Sequence, residues 1–335
     1  MKKYNSEDYI FAATYIRSRE KYLLTQEKAD RMLDSKTADD ALRVLYELQY
    51  GEGLDEIPAS EFEKLLALEM IKTYDMIMSL VPDKEYFNLF LYPNDYHNIK
   101  VLLKAEFASV SSEDLLIGTG TIPLADLDEK IQNRSFSDMR EEMANGIKEV
   151  IETFGATQDP QVIDLILDKA CYKDMSLEVA KLKNAFIKGF VELKIDTINI
   201  KSFIRAKEMQ KSWDFFSKIY IEGGKVPERL FINNYDEPYE QFAERLGAFN
   251  LSEVLYESIP ALKETGRFTV LEKFCDNLLM DYIRESRYVP FGIEPLVSYI
   301  MAKESEIKTV RIIMAGKLAG ISTELIKERI RDTYA

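Results

Sequence analysis

A twelve-residue segment that occurs three times is the feature of this sequence that most constrains its fold. Residues 95–106 read DYHNIKVLLKAE, and residues 196–207 read DTINIKSFIRAK. The two segments share Asp, Asn, Ile, Lys and Ala at the same five places and begin 101 residues apart. A weaker copy at residues 306–317 reads EIKTVRIIMAGK and begins 110 residues further on. Three copies at intervals near 100 residues predict three similar domains.

A second shared element follows each of the first two copies. It has the pattern Gly-x-Ile/Val-Pro and occupies residues 120–123 and 224–227, while the shorter Gly320-Ile321-Ser322 follows the third copy at closer spacing. Gly can end a helix in the left-handed conformation, and Pro or Ser can begin the next one, so each element predicts a helix stop and start. The predicted helical repeat domains span residues 1–118, 119–222 and 223–335.

Helical periodicity dominates the rest of the chain. Ala41, Val44, Leu45 and Leu48 recur at the spacing of one buried helix face, and strand-like alternation is nowhere sustained. We therefore predict an all-α protein. The repeat period exceeds the roughly 35–45 residues of helical solenoids, which favours three whole helical domains. Packed about a pseudo-threefold axis or along a curved row, they would form a plate or socket suited to binding another macromolecule.

Composition excludes several classes of function. The 44 basic and 58 acidic residues leave a net charge of −14, which argues against nucleic acid as a partner. With one histidine, His97, and two cysteines, Cys171 and Cys275, the chain lacks the ligands for a His-rich or Cys-rich zinc site, and we expect both cysteines to be buried. No run of 18 apolar residues predicts a membrane span, and the first residues lack the apolar core of a signal peptide, so we expect no export.

Catalytic patterns are weak. The glycine-rich turns lack the spacing of a phosphate-binding loop or a dinucleotide turn, so we expect no direct nucleotide binding and no cofactor. Asp39-Asp40 invites comparison with aspartate-rich prenyl-transferring enzymes, but Ala41-Leu42-Arg43 stands where a further acid would be needed. An enzyme is therefore the least favoured hypothesis.

Two interpretations of the polar positions in the repeat stay open. In the first, the acidic and amide residues satisfy nearby helix ends and the basic residues form a solvated face. The polar positions are Asp95, Asn98, Asp196, Asn199 and Glu306. In the second, basic clusters contact a partner with several equivalent acidic loops. The clusters are Lys100 with Lys104, Lys201 with Arg205, and Arg311 with Lys317. Repetition does not separate the two, because duplicated domains inherit folding and binding devices alike.

Together with the repeat, two further segments carry a resemblance to a known family. They are the C-terminal run GIEPLVSYIMAKESEIKTVRII at residues 292–313 and the N-terminal ATYIRSR at residues 13–19, which is followed by Leu23-Leu24. The chain resembles, over essentially its whole length, the central-stalk subunit family of V/A-type ATPases, whose members are the C subunit in prokaryotes and the d subunit in eukaryotes.

The resemblance implies a funnel-shaped, non-catalytic protein of three helical domains about a pseudo-threefold axis. It implies two partners, the central shaft subunits (D/F-type) and the membrane rotor ring (c/K-type), and a cytoplasmic position on the inner face of the cell membrane, held there through the ring. Such a protein would couple shaft to ring and transmit torque in a proton- or sodium-translocating complex. Thr309 and Ala315 depart from the repeat pattern. The alternative is a soluble helical scaffold that binds another ring or coiled coil.

Overall fold

The computed structural model describes residues 5–52, 55–112 and 115–335, and all regular secondary structure within these ranges is helical. The all-α prediction is thereby confirmed. The described chain forms two compact units. Unit 1 combines the segment up to Lys84 with Leu251–Ala335, and unit 2 spans Glu85–Asn250. The three-domain division and the funnel arrangement stay predictions.

The helices differ greatly in length, from single turns to the long helices that carry the repeat. In chain order the α-helices are α1 (Ile10–Arg19), α2 (Gln26–Asp34), α3 (Ala38–Glu47), α4 (Phe62–Leu80), α5 (Glu85–Asn88), α6 (Tyr92–Ala108), α7 (Leu124–Gln132), α8 (Glu141–Thr157), α9 (Gln161–Leu182), α10 (Ala185–Glu208), α11 (Trp213–Ile219), α12 (Glu228–Asn233), α13 (Tyr239–Leu246), α14 (Ser252–Thr265), α15 (Thr269–Arg284), α16 (Glu294–Leu318) and α17 (Thr323–Lys327). Short 3₁₀ segments lie at Ser6–Tyr9, Glu20–Tyr22, Ala59–Glu61, Leu89–Leu91, Gly247–Phe249 and Glu285–Tyr288.

The three sequence copies form three long helices, α6 and α10 in unit 2 and α16 in unit 1. Their apolar positions face the core, as the spacing predicts. The buried positions are Ile99, Leu102 and Leu103 on α6, Ile200, Phe203 and Ile204 on α10, and Val310, Ile313 and Met314 on α16. The predicted face of α3 is buried as well. Cys171 and Cys275 are both buried, as predicted.

All three repeat helices end in the same Schellman motif. The residue fourteen places after the start of each copy has a left-handed backbone, with φ of 54° at Ser109, 54° at Gln210 and 67° at Gly320. The next residue donates its N–H to the carbonyl of the small residue five positions earlier, in the pairs Val110–Ala105 at 3.0 Å, Lys211–Ala206 at 3.0 Å and Ile321–Gly316 at 2.9 Å. This pattern satisfies carbonyl groups that the end of a helix leaves without partners.

The Gly-x-x-Pro elements begin helices as predicted, but their glycines have a different role. Helix α7 begins directly after Pro123 and helix α12 directly after Pro227. Neither Gly120 nor Gly224 is left-handed. A Cβ at Gly120 would lie 2.5 Å from Oδ1 of Asp95, and the corresponding distance at Gly224 is 2.2 Å. These glycines therefore allow a carboxylate to approach the backbone, and the prediction that they end helices is wrong.

Replacing Gly224 by Ala should lower the free energy of unfolding by about 1–3 kcal/mol, because the added methyl group would overlap the Asp196 carboxylate. Gly247→Ala is the matched control, since a Cβ there meets nothing within 4 Å and its backbone is right-handed helical. We expect the control to be neutral or to stabilise by up to about 1 kcal/mol. Urea unfolding of both variants measures the difference, and equal midpoints would contradict the close-approach role.

Candidate functional site

The polar residues of the first copy hold the segment that leads into α7. Oδ1 of Asp95 accepts hydrogen bonds from the backbone N–H groups of Thr121 at 2.8 Å and Ile122 at 3.3 Å, and Oδ2 accepts one from the Thr121 hydroxyl. One turn later, Asn98 donates to the Ile117 carbonyl at 3.0 Å and accepts from the Ile117 N–H at 2.8 Å. Asp95 and Asn98 are fully buried, so these bonds replace the water that both side chains lose.

The second copy repeats this geometry. The Asp196 carboxylate accepts the backbone N–H groups of Lys225 and Val226, each at 3.0 Å. Asn199 makes the same two-way contact with Ile221, at 2.8 and 2.9 Å. Burial raises the pKa of the Asp196 carboxyl, and the two N–H donors oppose that shift. The equivalent polar pair thus fixes the segment before α12.

The third copy holds a segment from the other end of the chain. Glu306 accepts the backbone N–H of Leu24 at 2.5 Å and the hydroxyl of Tyr50 at 2.5 Å. Leu24 lies just before α2. The carboxylate of Glu306 therefore holds the segment before α2, just as Asp95 holds the segment before α7 and Asp196 the segment before α12. Gly320-Ile321-Ser322 does end α16 and begin α17, but it does not correspond to the Gly-x-x-Pro elements. The N-terminal segment takes that place because it packs against α16 within unit 1.

A buried cation completes the third site. The Lys303 ammonium lies 2.7 Å from Glu306 and 3.3 Å from Glu69, and 4.8 Å from the centre of the Tyr50 ring. All of these side chains are buried. Burial opposes the charged form of Lys303, but Glu306, Tyr299 and Glu69 together raise its pKa above the ordinary value. Burial also raises the pKa of Glu69, against the influence of Lys303.

Arg140 occupies a comparable place beside the first copy. Its guanidinium lies 3.2 Å from Asp95 and 2.6 Å from Asp174, and 3.7 Å from the centre of the Tyr92 ring. The Tyr96 hydroxyl donates to the same Asp174 carboxylate at 3.2 Å. Burial raises the pKa of Asp174, and the charge of Arg140 opposes that shift. Removing Arg140 would leave the buried Asp95 and Asp174 carboxylates without an oppositely charged partner.

The basic pair on α6 faces two acids of α9. Nζ of Lys100 lies 2.8 Å from Asp168, and Nζ of Lys104 lies 2.7 Å from Asp164. Both pairs are partly exposed to solvent. Because the two residues on each helix are four positions apart, the ion pairs form consecutive rungs between the helices.

The basic residues of the other copies also have partners within the chain. Arg311 makes a two-pronged contact with Glu63 of α4, at 2.7 and 3.0 Å. Lys317 donates to two carbonyl groups at the end of α2, those of Leu33 at 2.8 Å and Ser35 at 2.6 Å. Lys201 and Arg205 on α10 likewise take part in interactions. A role for any of them in partner contact stays a prediction.

The polar positions therefore bind backbone groups, whereas the basic residues of α6 and α16 pair with groups of the chain itself and do not form the solvated face of the first interpretation. Across the described ranges, no three side chains of the His, Cys, Asp and Glu types are placed to hold a metal ion. None of the helices in this part of the chain is long and apolar enough to cross a membrane. The His97 ring bonds to the Leu115 carbonyl at 3.0 Å.

The sequence analysis identifies neither Lys303 nor Arg140 as a candidate residue. Lys303 stands three residues before Glu306 and directly after the largely apolar run PLVSYIMA, and an opposite charge at that helical spacing is a signal that could have found it. Arg140 lies just before α8, outside any periodic segment, and nothing local links it to Asp95. Only the packing of unit 2 brings them together.

All three repeat helices lie within the part of the chain that matches a known protein family. The family model described as ATP synthase (C/AC39) subunit matches residues 12–329. The chain belongs to this C/AC39 family. The resemblance seen in the repeat and the terminal segments is thereby confirmed.

Several characterised relatives agree with this C/AC39 assignment. The C subunit of the V-type sodium ATPase of Enterococcus hirae is 25% identical, over 95% of this chain and 97% of that protein. The C subunit of the A-type ATP synthase of Methanosarcina acetivorans is 26% identical, over 98% of this chain and 94% of that protein. Its counterpart in the A-type ATP synthase of Methanocaldococcus jannaschii is 25% identical, over 95% and 85%.

In this C/AC39 chain, Lys303→Met should destabilise the fold by about 3–5 kcal/mol, because it leaves Glu306 and Glu69 buried without their cation. Lys308→Met, an exposed position on the same helix, is the control and should change the free energy of unfolding by less than about 0.5 kcal/mol. Chemical unfolding of the two variants beside the wild type measures both effects.

The loss caused by Lys303→Met should also depend on pH. The pKa of Glu69 is already raised in the folded protein, and removal of the lysine raises it further. The folded state then binds a proton that the unfolded state releases, so the stability of the variant falls as pH rises through that range. We expect a smaller deficit at pH 5 than at pH 8. A deficit that is constant over this range would contradict the buried pairing.

Proposed function

We propose that this protein is a non-catalytic central-stalk subunit of a V/A-type proton- or sodium-translocating ATPase. It couples the rotating shaft subunits to the membrane rotor ring and transmits torque between them. Family membership supports the assignment to such a complex, and all three relatives described above are named as C subunits, one of a V-type sodium ATPase and two of A-type ATP synthases. In this proposal the chain is peripheral on the inner face of the cell membrane and is held there by the ring.

The observation that carries the mechanical role is the buried polar pair on each of the first two repeat helices. A part that transmits torque must be stiff, because an adaptor that bends stores the work of each step instead of passing it on. Asp95 with Asn98, and Asp196 with Asn199, tie each helix to the next segment through several hydrogen bonds in the dry interior. Opening such a contact would expose unpaired buried groups, which makes deformation costly.

The same contacts support a non-catalytic role. A catalytic carboxylate needs an oxygen that can reach a substrate or a transferable proton. The oxygens of Asp95, Asp196 and Glu306 instead accept bonds from the chain's own backbone and side chains. We therefore assign ATP turnover and ion passage to other subunits of the complex.

A tagged full-length chain tests the proposal directly. After mild solubilisation of membranes from the native host, affinity purification should recover both the shaft subunits and the rotor ring. The purified chain alone should hydrolyse no ATP. Recovery of neither partner would overturn the coupling role, and recovery of a different ring or coiled-coil assembly would favour the scaffold alternative.

We also propose the basic clusters as partner contacts, with a test that separates this role from their ion pairs within the chain. Reversing charge at Lys100, Lys201 and Arg311 together should weaken co-sedimentation with ring-containing membranes. The isolated fold should stay intact, because each partly exposed pair contributes about 1 kcal/mol or less.

The control is a charge swap that restores the pairs of Lys100 and Arg311 within the chain. Lys100→Asp is combined with Asp168→Lys, and Arg311→Glu with Glu63→Arg. A true partner contact should stay weakened in the swapped protein. Full recovery of co-sedimentation would show that the pairs act only within the chain.

A further inference from the structure

One buried ammonium in unit 1 faces two buried carboxylates. Nζ of Lys303 lies 2.7 Å from an oxygen of Glu306 and 3.3 Å from Oε1 of Glu69, and none of the three side chains is more than 7% exposed. If both acids were ionised, this dry site would hold one more negative than positive charge. Burying an unbalanced charge costs so much free energy that an acid in this position binds a proton instead.

The hydrogen bonds of the two acids indicate which one is ionised. Glu306 accepts three bonds, from the Leu24 N–H, the Tyr50 hydroxyl and the Lys303 ammonium. Such donors stabilise the ionised form of a carboxyl group. Oε1 of Glu69 makes the longer contact with Lys303, and its buried Oε2 has no hydrogen-bond partner among the described residues. Glu69 is therefore the acid that a proton neutralises at the lower cost.

Lys72, one turn further along α4, is a second cation near Glu69. Its Nζ lies 3.9 Å from Oε2 of Glu69, beyond hydrogen-bond distance, and 3.2 Å from both the Gln49 carbonyl and a carboxylate oxygen of Glu52. Lys72 is also 39% exposed, so solvent screens its charge. Burial accordingly raises the pKa of Glu69, against the influence of Lys303 and Lys72.

Other ionisable groups face this site from α1, α16 and the segment after α3. Tyr50 follows α3 and Tyr299 lies on α16, and burial raises the pKa of both hydroxyls, so both are neutral near pH 7. The charge of Arg19 on α1 acts on Tyr299. Further along the contact between α4 and α16, Glu304 accepts a hydrogen bond from the Tyr74 hydroxyl at 2.9 Å. The balance of charge at the buried acid therefore depends on the two lysines.

A proton on Glu69 would also supply a donor where the chain lacks one. The side-chain oxygen of Gln49 is buried and, like Oε2 of Glu69, has no hydrogen-bond partner in the described ranges. Lys72 contacts the Gln49 backbone and approaches Oε2 of Glu69, so the two oxygens belong to the same neighbourhood. A carboxylate only accepts hydrogen bonds, whereas a protonated carboxyl also donates one. A proton on Oε2 therefore turns one of two unmet acceptors into a donor.

Lys303 links Glu69 to the contact that holds the N-terminal segment. When Glu69 is neutral, the ammonium pairs with Glu306 alone, and Glu306 holds Leu24 and Tyr50. When Glu69 is ionised, two carboxylates compete for one ammonium and repel each other. We propose that Glu69 is protonated in the folded protein and that its proton strengthens the hold of Glu306 on the N-terminal segment. Unit 1 thus contains a pH-sensitive contact, and this property is independent of the proposed function.

Two single substitutions in the full-length chain test this proposal. Glu69→Gln is neutral at every pH and nearly equal in size, so it imitates the protonated form. Asp75→Asn, at an exposed position of α4, is the matched control because it removes the same charge from the same helix. Hydrogen exchange of the Leu24 amide is measured in the wild type and in both variants at pH 5 and pH 8. The ratio of two rates at one pH cancels the intrinsic pH dependence of exchange.

The expected direction follows from proton linkage. A carboxyl whose pKa is raised in the folded state stabilises that state at low pH and loses this contribution as pH rises through the raised pKa. The Leu24 exchange rate of the wild type, relative to Glu69→Gln, should therefore increase at least about threefold from pH 5 to pH 8. The ratio of wild type to Asp75→Asn should stay constant.

Two outcomes would overturn the proposal. One is a ratio of wild type to Glu69→Gln that is the same at both pH values. The other is faster exchange in Glu69→Gln than in the wild type at pH 8, because Lys303 would then need the negative charge of Glu69 as a partner.

A second measurement uses the wild-type chain alone and decides the question even if Glu69→Gln does not fold. When glutamate is labelled with carbon-13 at Cδ, the NMR shift of each side-chain carboxyl carbon follows its own protonation. One of these carbons should still report a protonated carboxyl above the pH range in which free glutamate ionises. Ionisation of every glutamate within that range would contradict a proton on Glu69.

Discussion

A carboxylate buried on a repeat helix and bonded to the backbone of another segment is the interaction on which the rest of this structure depends. A buried carboxylate without partners would cost several kcal/mol, so the segment that supplies its N–H donors must stay in place. Asp95, Asp196 and Glu306 all make this contact. The contact explains the nearby glycines, because only a residue without Cβ lets the Asp95 or Asp196 carboxylate come so close to the chain. Each contact thereby fixes a repeat helix to the segment that leads into another helix.

The third copy shows how the same device closes unit 1. Its donor, Leu24, is 282 residues from Glu306, so the two ends of the described chain share one core. Glu replaces Asp and Thr replaces Asn there, and the buried Lys303 balances the charge of Glu306 and Glu69. The third copy thus differs from the other two in two ways. Its polar residues are different, and the segment that its carboxylate holds comes from the N-terminal part of the chain.

The mechanical role that we propose for this chain requires a stiff interior. The buried polar pairs and the charged networks around Lys303 and Arg140 meet this requirement, because loosening any of them leaves a charge or a backbone group unpaired in the interior. The common Schellman cap serves the same requirement, since it ends each repeat helix at the same place and satisfies its last carbonyl groups.

The sequence by itself determined the helical class, the buried stripe of each repeat helix, the helix starts after Pro123 and Pro227, and the family. These are local properties, since periodicity and capping follow from hydrogen bonds between residues a few positions apart. Only the tertiary structure decided which group each polar side chain meets. From sequence, Lys100 and Lys104 could face solvent or a partner. The packing of α6 on α9 instead places Asp168 and Asp164 opposite them. That Glu306 would hold the N-terminal segment was equally invisible, because a pairing across 282 residues depends on how helices pack and leaves no local pattern in the chain.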